Sequence, residues 1–252
     1  MEEQVIFGKH PVLDALEAGS PVIDKVLLED GTRGELEVSL RKACKKAGVP
    51  MQYIPRERFA KYTKSNHQGV IALLGAVPNY YKLAELLPTI LERGEIPLLV
   101  ILDGVTDVRN FGAIARTAAG IGAHAIIVPL KGAASINGDA MKASAGALST
   151  LPVCRESSLS AVMDFLGEAD IQVVASDLKT EYYVADIDFT EPTAIIMGAE
   201  GEGISRHLLQ RSDRCFKIPM GGTIDSFNVS VATGMVLYEA ARQRMNKAKM
   251  GD

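Results

Sequence analysis

Residues 193–205 read TAIIMGAEGEGIS, an apolar run that stops in a loop where Gly198, Gly201 and Gly203 surround Glu200 and Glu202. A continuous apolar run closed by a glycine loop is how a strand buried on both faces ends at the ligand-bearing edge of a parallel sheet. The charge of the loop says what it suits. A phosphate cradle needs bare backbone N–H groups at a helix N-terminus and usually a lysine. Here the glycines run G-x-x-G-x-G, no Gly-Lys-Ser/Thr follows, and the loop carries two carboxylates. A nucleotide polyphosphate fits poorly. A ligand without phosphates, or with positive charge, fits better.

Outward from this loop, residues 97–252 alternate β-rich and helical runs. They are PLLVILDG, NFGAIARTAAGIGA, HAIIVP, GDAMKASAGALS, SLSAVMDFLGEA, IQVVASD, TAIIMGAE, ISRHLLQRS, RCFKIPM and a long C-terminal helix from SFNVSV onward. The pattern predicts an α/β fold with a parallel sheet covered on both faces, in which the loops after LLVIL, TAIIM and FKIP converge. Upstream, residues 1–77 predict a smaller α/β unit: strands in VIDKVLLED, VPMQYIP and QGVIALLGAV, and a helix over GELEVSLRKACKKAG with Leu36, Leu40, Ala43 and Ala47 on its inner stripe. Residues 78–96 begin and are followed by proline and hold an amphipathic helix, a linker or the early helix of the second domain, with a boundary near residue 78.

With 252 residues and 47% hydrophobic content the chain builds one large or two modest cores. It has no run of eighteen apolar residues, and its MEEQVIFGKH start is acidic where a secretory leader is basic and then apolar. The expectation is a cytoplasmic protein with no membrane segment. Three widely spaced cysteines without a C-x-x-C pair predict reduced core thiols, and four scattered histidines predict no metal site. The net charge of −4 argues against a nucleic-acid partner, but its distribution argues for one. Arg41, Lys42, Lys45, Lys46, Arg56, Arg58, Lys61 and Lys64 oppose Glu57 alone, a local +7 that suits a phosphate backbone and equally suits a solvated helix face.

Two further segments carry polar residues in apolar surroundings. In DGVTDVRNFGAIARTA, residues 103–118, Asn110 is placed to cap a helix that Gly122 ends. Arg116 interrupts that helix and needs a carboxylate or phosphate if buried, or snorkels if not. In IPMGGTIDSFNVSVATGMVLYEAARQ, residues 218–243, Ser226 and Asn228 open a helix with Val229, Ala232, Val236 and Ala240 on one stripe and Arg242, Arg244, Lys247 and Lys249 toward its C-terminus.

The order DVRNFGAIARTA, MGAEGEGIS, IPM and SFNVSVA resembles the three signature motifs of the SpoU (TrmH-type) branch of the SPOUT RNA methyltransferases. KASAGALSTLPV at 142–153 is similar to that family too, and GKHPVLDAL and NHQGVIALL resemble its RNA-binding domain, above all in enzymes that methylate a guanosine ribose of 23S rRNA. The match runs over nearly the whole chain. Val108 stands where proline is usual and Phe227 where leucine is usual, which loosens the turn before Asn110 and reshapes a cofactor contact. The resemblance implies a trefoil-knotted methyltransferase domain, preceded by a small α/β RNA-binding domain, that uses S-adenosylmethionine to methylate a ribose 2′-hydroxyl of RNA as a homodimer. It implies main-chain cofactor contacts at Gly198, Ile218 and Phe227, with Met220 and Leu178 beside them, and a role for Arg116 at the ribose or its phosphate. It further implies that Glu200 holds Arg116, that Asn110 positions the ribose or Arg116, that Ser226 and Asn228 orient the nucleotide, and that the basic residues of the first domain grip RNA. A Rossmann oxidoreductase lacks its fingerprint here. The alternatives that stay open are a tRNA 2′-O-methyltransferase and a non-catalytic ribosome-assembly protein of the same fold.

Overall fold

The computed structural model describes residues 5–18, 23–62, 66–74, 80–223 and 225–250, and the chain divides into two compact units, 1–78 and 79–252. The expected boundary near 78 falls in 75–79, outside the described residues. The first unit runs β1 (Val5–Phe7), α1 (Lys9–Ala18), β2 (Ile23–Glu29), α2 (Glu35–Ala47), β3 (Met51–Ile54), a 3₁₀ segment (Arg56–Lys61) and β4 (Val70–Leu74). Its sheet has the order β1-β4-β2-β3, with only the β2–β3 pair parallel. Alternation along β2 divides its core: Val26 and Leu28 pack with Val12, Leu40 and Cys44, while Leu27 faces Ile54, Phe59 and Ile71. Cys44 is buried on α2 while Ala47, at the last helical position, is exposed, so the inner stripe ends one turn earlier than its spacing predicts. The helix α1 and strand β1 are additions to the sequence reading. The backbone N–H of Lys9, in the first turn of α1, donates 3.1 Å to the Gln68 side chain, a partner 59 positions away.

The second unit begins with β5 (Tyr80–Tyr81) and α3 (Leu83–Glu92), so the segment expected as a linker or the early helix of the second domain supplies that unit's edge strand and first helix. It continues with β6 (Leu98–Asp103), α4 (Val108–Ile121), β7 (Ala125–Pro129), α5 (Gly138–Ala143), β8 (Val153–Glu156), α6 (Leu159–Glu168), β9 (Gln172–Ser176), β10 (Thr193–Gly198), α7 (Arg206–Leu209), β11 (Arg214–Phe216) and α8 (Val229–Met250). The strands form one sheet of order β11-β9-β10-β6-β7-β8-β5, parallel at every pairing. One face packs Val100, Ile126 and Ile195 on Phe111, Ile114 and Ala118 of α4 and Val236 and Ala240 of α8. The other packs Ile101, Ile127 and Ile196 on Leu87 of α3, Leu166 of α6 and Leu208 of α7. Each fully buried side chain of this size contributes about 1.5–3 kcal/mol, which explains why these strands read as unbroken apolar runs.

The connections from β6 and from its neighbour β10 run to opposite sides of the sheet, which makes the gap between these strands the topological switch where ligands of such sheets gather. From β6 the chain steps outward to β7 and β8, then crosses under α6 to β9 on the far side of β10. Two expected helices are shorter than their patterns. Over GDAMKASAGALS the helix stops at Ala143, because Ala145 and Gly146 take positive φ of 49° and 88°. Over ISRHLLQRS only Arg206–Leu209 is α-helical.

Candidate functional site

At the carboxyl ends of β9, β10 and β6, which are Ser176, Gly198 and Asp103, lies a cleft of about 1320 Å³. The glycine loop forms its floor by folding back on its own strand. Ala199 N–H donates to the Asp103 carbonyl at 2.9 Å and Gly203 N–H to the Ala199 carbonyl at 2.9 Å, while Ser205 N–H donates to Asp103 Oδ2 at 2.8 Å. A Cβ on Gly198 would lie 2.2 Å from the carbonyl carbon of Gly203, backbone that cannot yield, so glycine is required there by the loop's own closure. Asp103, a carboxylate ending an apolar strand, braces this loop, and the sequence reading passed over it.

Leu178, Met197, Ile218, Met220 and Phe227 supply the apolar part of the wall. Asp103, Asp177, Glu200, Glu202 and Asp225 face Lys179 and Arg206, five carboxylates against two cations, so the cleft favours a cationic ligand. The Oγ of Ser205 is buried at its edge and has no hydrogen-bond partner among the described residues, the state expected of a group awaiting a ligand. All five cofactor residues expected from the sequence, Gly198, Ile218, Phe227, Met220 and Leu178, line this space.

A polar network joins the three sequence segments at the rim. Glu200 Oε1 accepts from Asn110 Nδ2 at 3.2 Å, from Asn228 Nδ2, and from the backbone N–H of Val229 at 3.3 Å. Asn228 Nδ2 also donates to Asn110 Oδ1 at 3.0 Å. The Oδ1 of Asn228 caps α8, accepting from Ser230 N–H at 3.0 Å and Val231 N–H at 3.3 Å. A carboxylate at the N-terminus of a helix of 22 residues is also favoured by the helix dipole. Ser226 lines the cleft and is exposed.

Two expectations are corrected. Asn110 does not cap α4: Asp107 does, its Oδ1 accepting from Arg109 and Asn110 N–H at 2.8 Å each. That leaves the Asn110 side chain for the rim network, and Val108 occupies the first helical position, where proline is favoured but not needed. Nor does Glu200 hold Arg116. Six positions separate Arg116 from Asn110, about 120° around α4, so it points away from the network. It is exposed and has no hydrogen bond or ion pair among the described residues.

In the first unit Arg41 is engaged by Glu37 at 2.6 Å and by the Tyr53 hydroxyl at 3.0 Å. The Tyr53 hydroxyl, and then Arg41, hold the Glu37 carboxyl below its usual range. Arg56 lies 4.0 Å from Glu29. Lys42, Lys45, Lys46 and Arg58 are exposed and unpaired among the described residues, and Lys64 lies outside them. Among the described residues no group of three or more His, Cys, Asp or Glu is placed to hold a metal ion, and no helix is long and apolar enough to cross a membrane.

Comparison with known proteins gives two family matches: residues 97–238 match the SpoU rRNA Methylase family and residues 5–80 match the RNA 2′-O ribose methyltransferase substrate binding family. The chain is 36% identical over 242 residues to the 23S rRNA (guanosine-2′-O-)-methyltransferase RlmB of Escherichia coli strain K12, covering 96% of this chain and 99% of that one. The RlmB of Photobacterium profundum is 38% identical over 247 residues, 97% and 99% of the two chains. Among solved structures, the SpoU methyltransferase AviRb from Streptomyces viridochromogenes in complex with AdoMet superposes with a TM-score of 0.62 at 27% identity, over 97% of this chain and 92% of that one. An A. aeolicus TrmH/SpoU tRNA modifying enzyme, 32% identical with a TM-score of 0.57, covers 61% of this chain and 78% of its own.

Proposed function

Because this chain belongs to the SpoU rRNA methylase family, we propose that it transfers a methyl group from S-adenosylmethionine to a ribose 2′-hydroxyl of RNA, a guanosine of 23S rRNA. The observation that carries this is the Asn110–Glu200–Asn228 network at the rim of an acidic cleft. The residues fit the cofactor: an excess of carboxylates suits a sulfonium, apolar walls suit its methionine chain and adenine, and the orphaned Ser205 hydroxyl awaits a polar partner. When bound, S-adenosylmethionine supplies an electrophilic methyl group on a cationic sulfur.

The chain's own residues hold and orient. Main-chain groups at Gly198, Ile218 and Phe227 grip the cofactor, with Met220 and Leu178 packed beside it. A guanidinium keeps its protons and is a poor base, so Arg116, exposed and unpaired among the described residues, takes an RNA phosphate and stabilises charge developing on the ribose oxygen. Glu200 fixes the amides of Asn110 and Asn228, and these two with Ser226 orient the target nucleotide. The 1–77 domain grips RNA through Lys42, Lys45, Lys46 and Arg58, with Arg41 and Arg56 alongside, and 97–252 carries the chemistry.

Three further features belong to this reading. A knotted crossing of the family kind is supported by Lys217, whose N–H donates to the Tyr182 carbonyl and whose carbonyl accepts from Val184 N–H, both at 2.9 Å, tying the loop after β9 across the segment that leads into α8. A homodimer is supported by exposed Val231, Met235, Tyr238 and Met245 along the outer side of α8. A cytoplasmic location follows from an RNA substrate made there. The rRNA assignment is favoured over tRNA by the coverage of both units in the RlmB relatives. The test is incubation with labelled S-adenosylmethionine and either undermethylated 23S rRNA or bulk tRNA, followed by mapping. A ribose methyl on one 23S guanosine is the expected result; label in tRNA alone would overturn the substrate, and label in neither, the reaction.

A further inference from the structure

Beside the cofactor cleft lies a second, smaller cavity of about 390 Å³ at the carboxyl ends of β6, β7 and β8. It shares Asp103 and Gly104 with the larger cleft, so the two open on either side of the β6 end. Its polar lining is Lys131, Ser157, Ser158, Ser160 and His207. Ser158 Oγ is occupied in capping α6, accepting from Ala161 N–H at 3.2 Å. The side chains of Lys131, Ser157, Ser160 and His207 have no hydrogen bond or ion pair among the described residues. The single carboxylate in the lining, Asp103, has its Oδ2 taken by Ser205 N–H. The apolar lining is aliphatic: Pro129, Leu159 and Leu208.

We propose that this cavity is a phosphodiester-binding subsite for the substrate RNA, in which Lys131 supplies the cationic contact, His207 an imidazole N–H, and Ser157 and Ser160 hydroxyl donors to one backbone phosphate flanking the target nucleotide. The inference rests on the methyltransferase reading above and adds a subsite to it. A lysine with free hydroxyl donors around a space of this size matches a phosphate oxygen cluster, and phosphate contacts set register on a nucleic acid without reading its sequence. A strand that presents its ribose at the adjoining cleft passes its neighbouring phosphates along the same sheet edge. The cavity therefore acts as a positioning site upstream or downstream of the methylated residue.

The test compares full-length wild type, Lys131→Ala, Lys131→Arg and Ser157→Ala/Ser160→Ala, using a 23S rRNA fragment that the wild type methylates. Lys131→Ala is expected to raise the RNA Kd about 3- to 10-fold and to lower the slope of log Kd against log salt by about 0.7–0.9, the loss of one phosphate contact. The serine pair is expected to raise Kd about 3-fold with the slope kept, and Lys131→Arg to restore both values to near wild type. Binding of S-adenosylmethionine and the thermal midpoint stay unchanged in all variants, because each altered residue lies outside the cofactor cleft. An RNA Kd and salt slope unchanged in Lys131→Ala would overturn the subsite while leaving the reaction intact. A wild type that methylates no RNA would overturn the reading on which the subsite rests.

Discussion

Arg116 and Glu200 lie in different surroundings although one family pattern brings them together. Arg116 has no partner among the described residues, so removing it costs the fold little. Arg116→Ala should lower kcat by about 10²–10³, the scale of losing one preorganised charge contact, with cofactor affinity within a few-fold; unchanged turnover in a steady-state assay would rule out its role. Glu200 instead joins Asn110, Asn228 and the first backbone N–H of α8, that of Val229. Glu200→Ala should therefore reduce turnover and also loosen the start of α8, seen as faster amide exchange at 229–231. The three thiols differ through burial, which pushes Cys44 up to about 11 and Cys154 to about 12 and raises half-buried Cys215 less. At pH 8 about one Cys44 in a thousand and fewer Cys154 are thiolate, and the thiolate is the reactive form. Native alkylation should thus label Cys215 first, and saturating S-adenosylmethionine should slow it, since Cys215 lines the cleft. Equal labelling of all three by peptide mapping would contradict this burial.

At the scale of elements, α4 packs on α5 with no room for a side chain at Gly112. A Cβ on Gly112 would lie 2.5 Å from Ala143 Cβ and 2.7 Å from the Ala140 carbonyl. Gly112→Ala should cost about 1–3 kcal/mol of overpacking, a fall of several degrees in thermal midpoint by calorimetry; a midpoint equal to wild type would mean the helices separate freely. This contact shows what was legible in the sequence. The strands at 98–103, 125–129, 172–176 and 193–198 were legible because burial on both faces leaves unbroken apolar runs, and the convergence of three loops followed from their parallel order. The partners of individual polar groups were not. Asp107 rather than Asn110 caps α4 because the helix starts at Val108, three residues earlier than a cap at Asn110 would place it, and both types cap well. Arg244 reads as a dipole-matched charge near a helix end, yet it is half-buried and donates to the carbonyls of Phe189, Ile96, Pro97 and Glu191. Those carbonyls lie 53 to 148 positions away, and no local pattern records them.

At the scale of the whole molecule, α8 has two faces with different work. Val229, Ala232, Val236 and Ala240 are buried against the sheet, the stripe its spacing predicts. On the other side Tyr238 and Met245 are 64% and 60% exposed, with Val231 and Met235 continuing the row. Positions 231, 235 and 238 follow one another at helical spacing and Met245 lies two turns beyond Tyr238 on the same side, with the Arg242–Glu239 ion pair between them, so the exposed face is apolar but interrupted by one charged pair. A second copy of the chain would cover it, and each helix would then bury its strip against the same strip of its partner, as a two-fold contact requires. Placing charge there tests this without touching the core. If the proposed dimer forms through α8, Tyr238→Glu with Met245→Glu sediments as a monomer where the wild type sediments as a dimer in analytical ultracentrifugation, and its thermal midpoint no longer rises with protein concentration. The start of α8 carries Asn228, so the same variant also asks whether the catalytic rim depends on the contact. Loss of methyl transfer in a monomer that still binds S-adenosylmethionine would mean that the partner helps to form the RNA site. A variant that sediments as the wild type does would remove α8 as the dimer face.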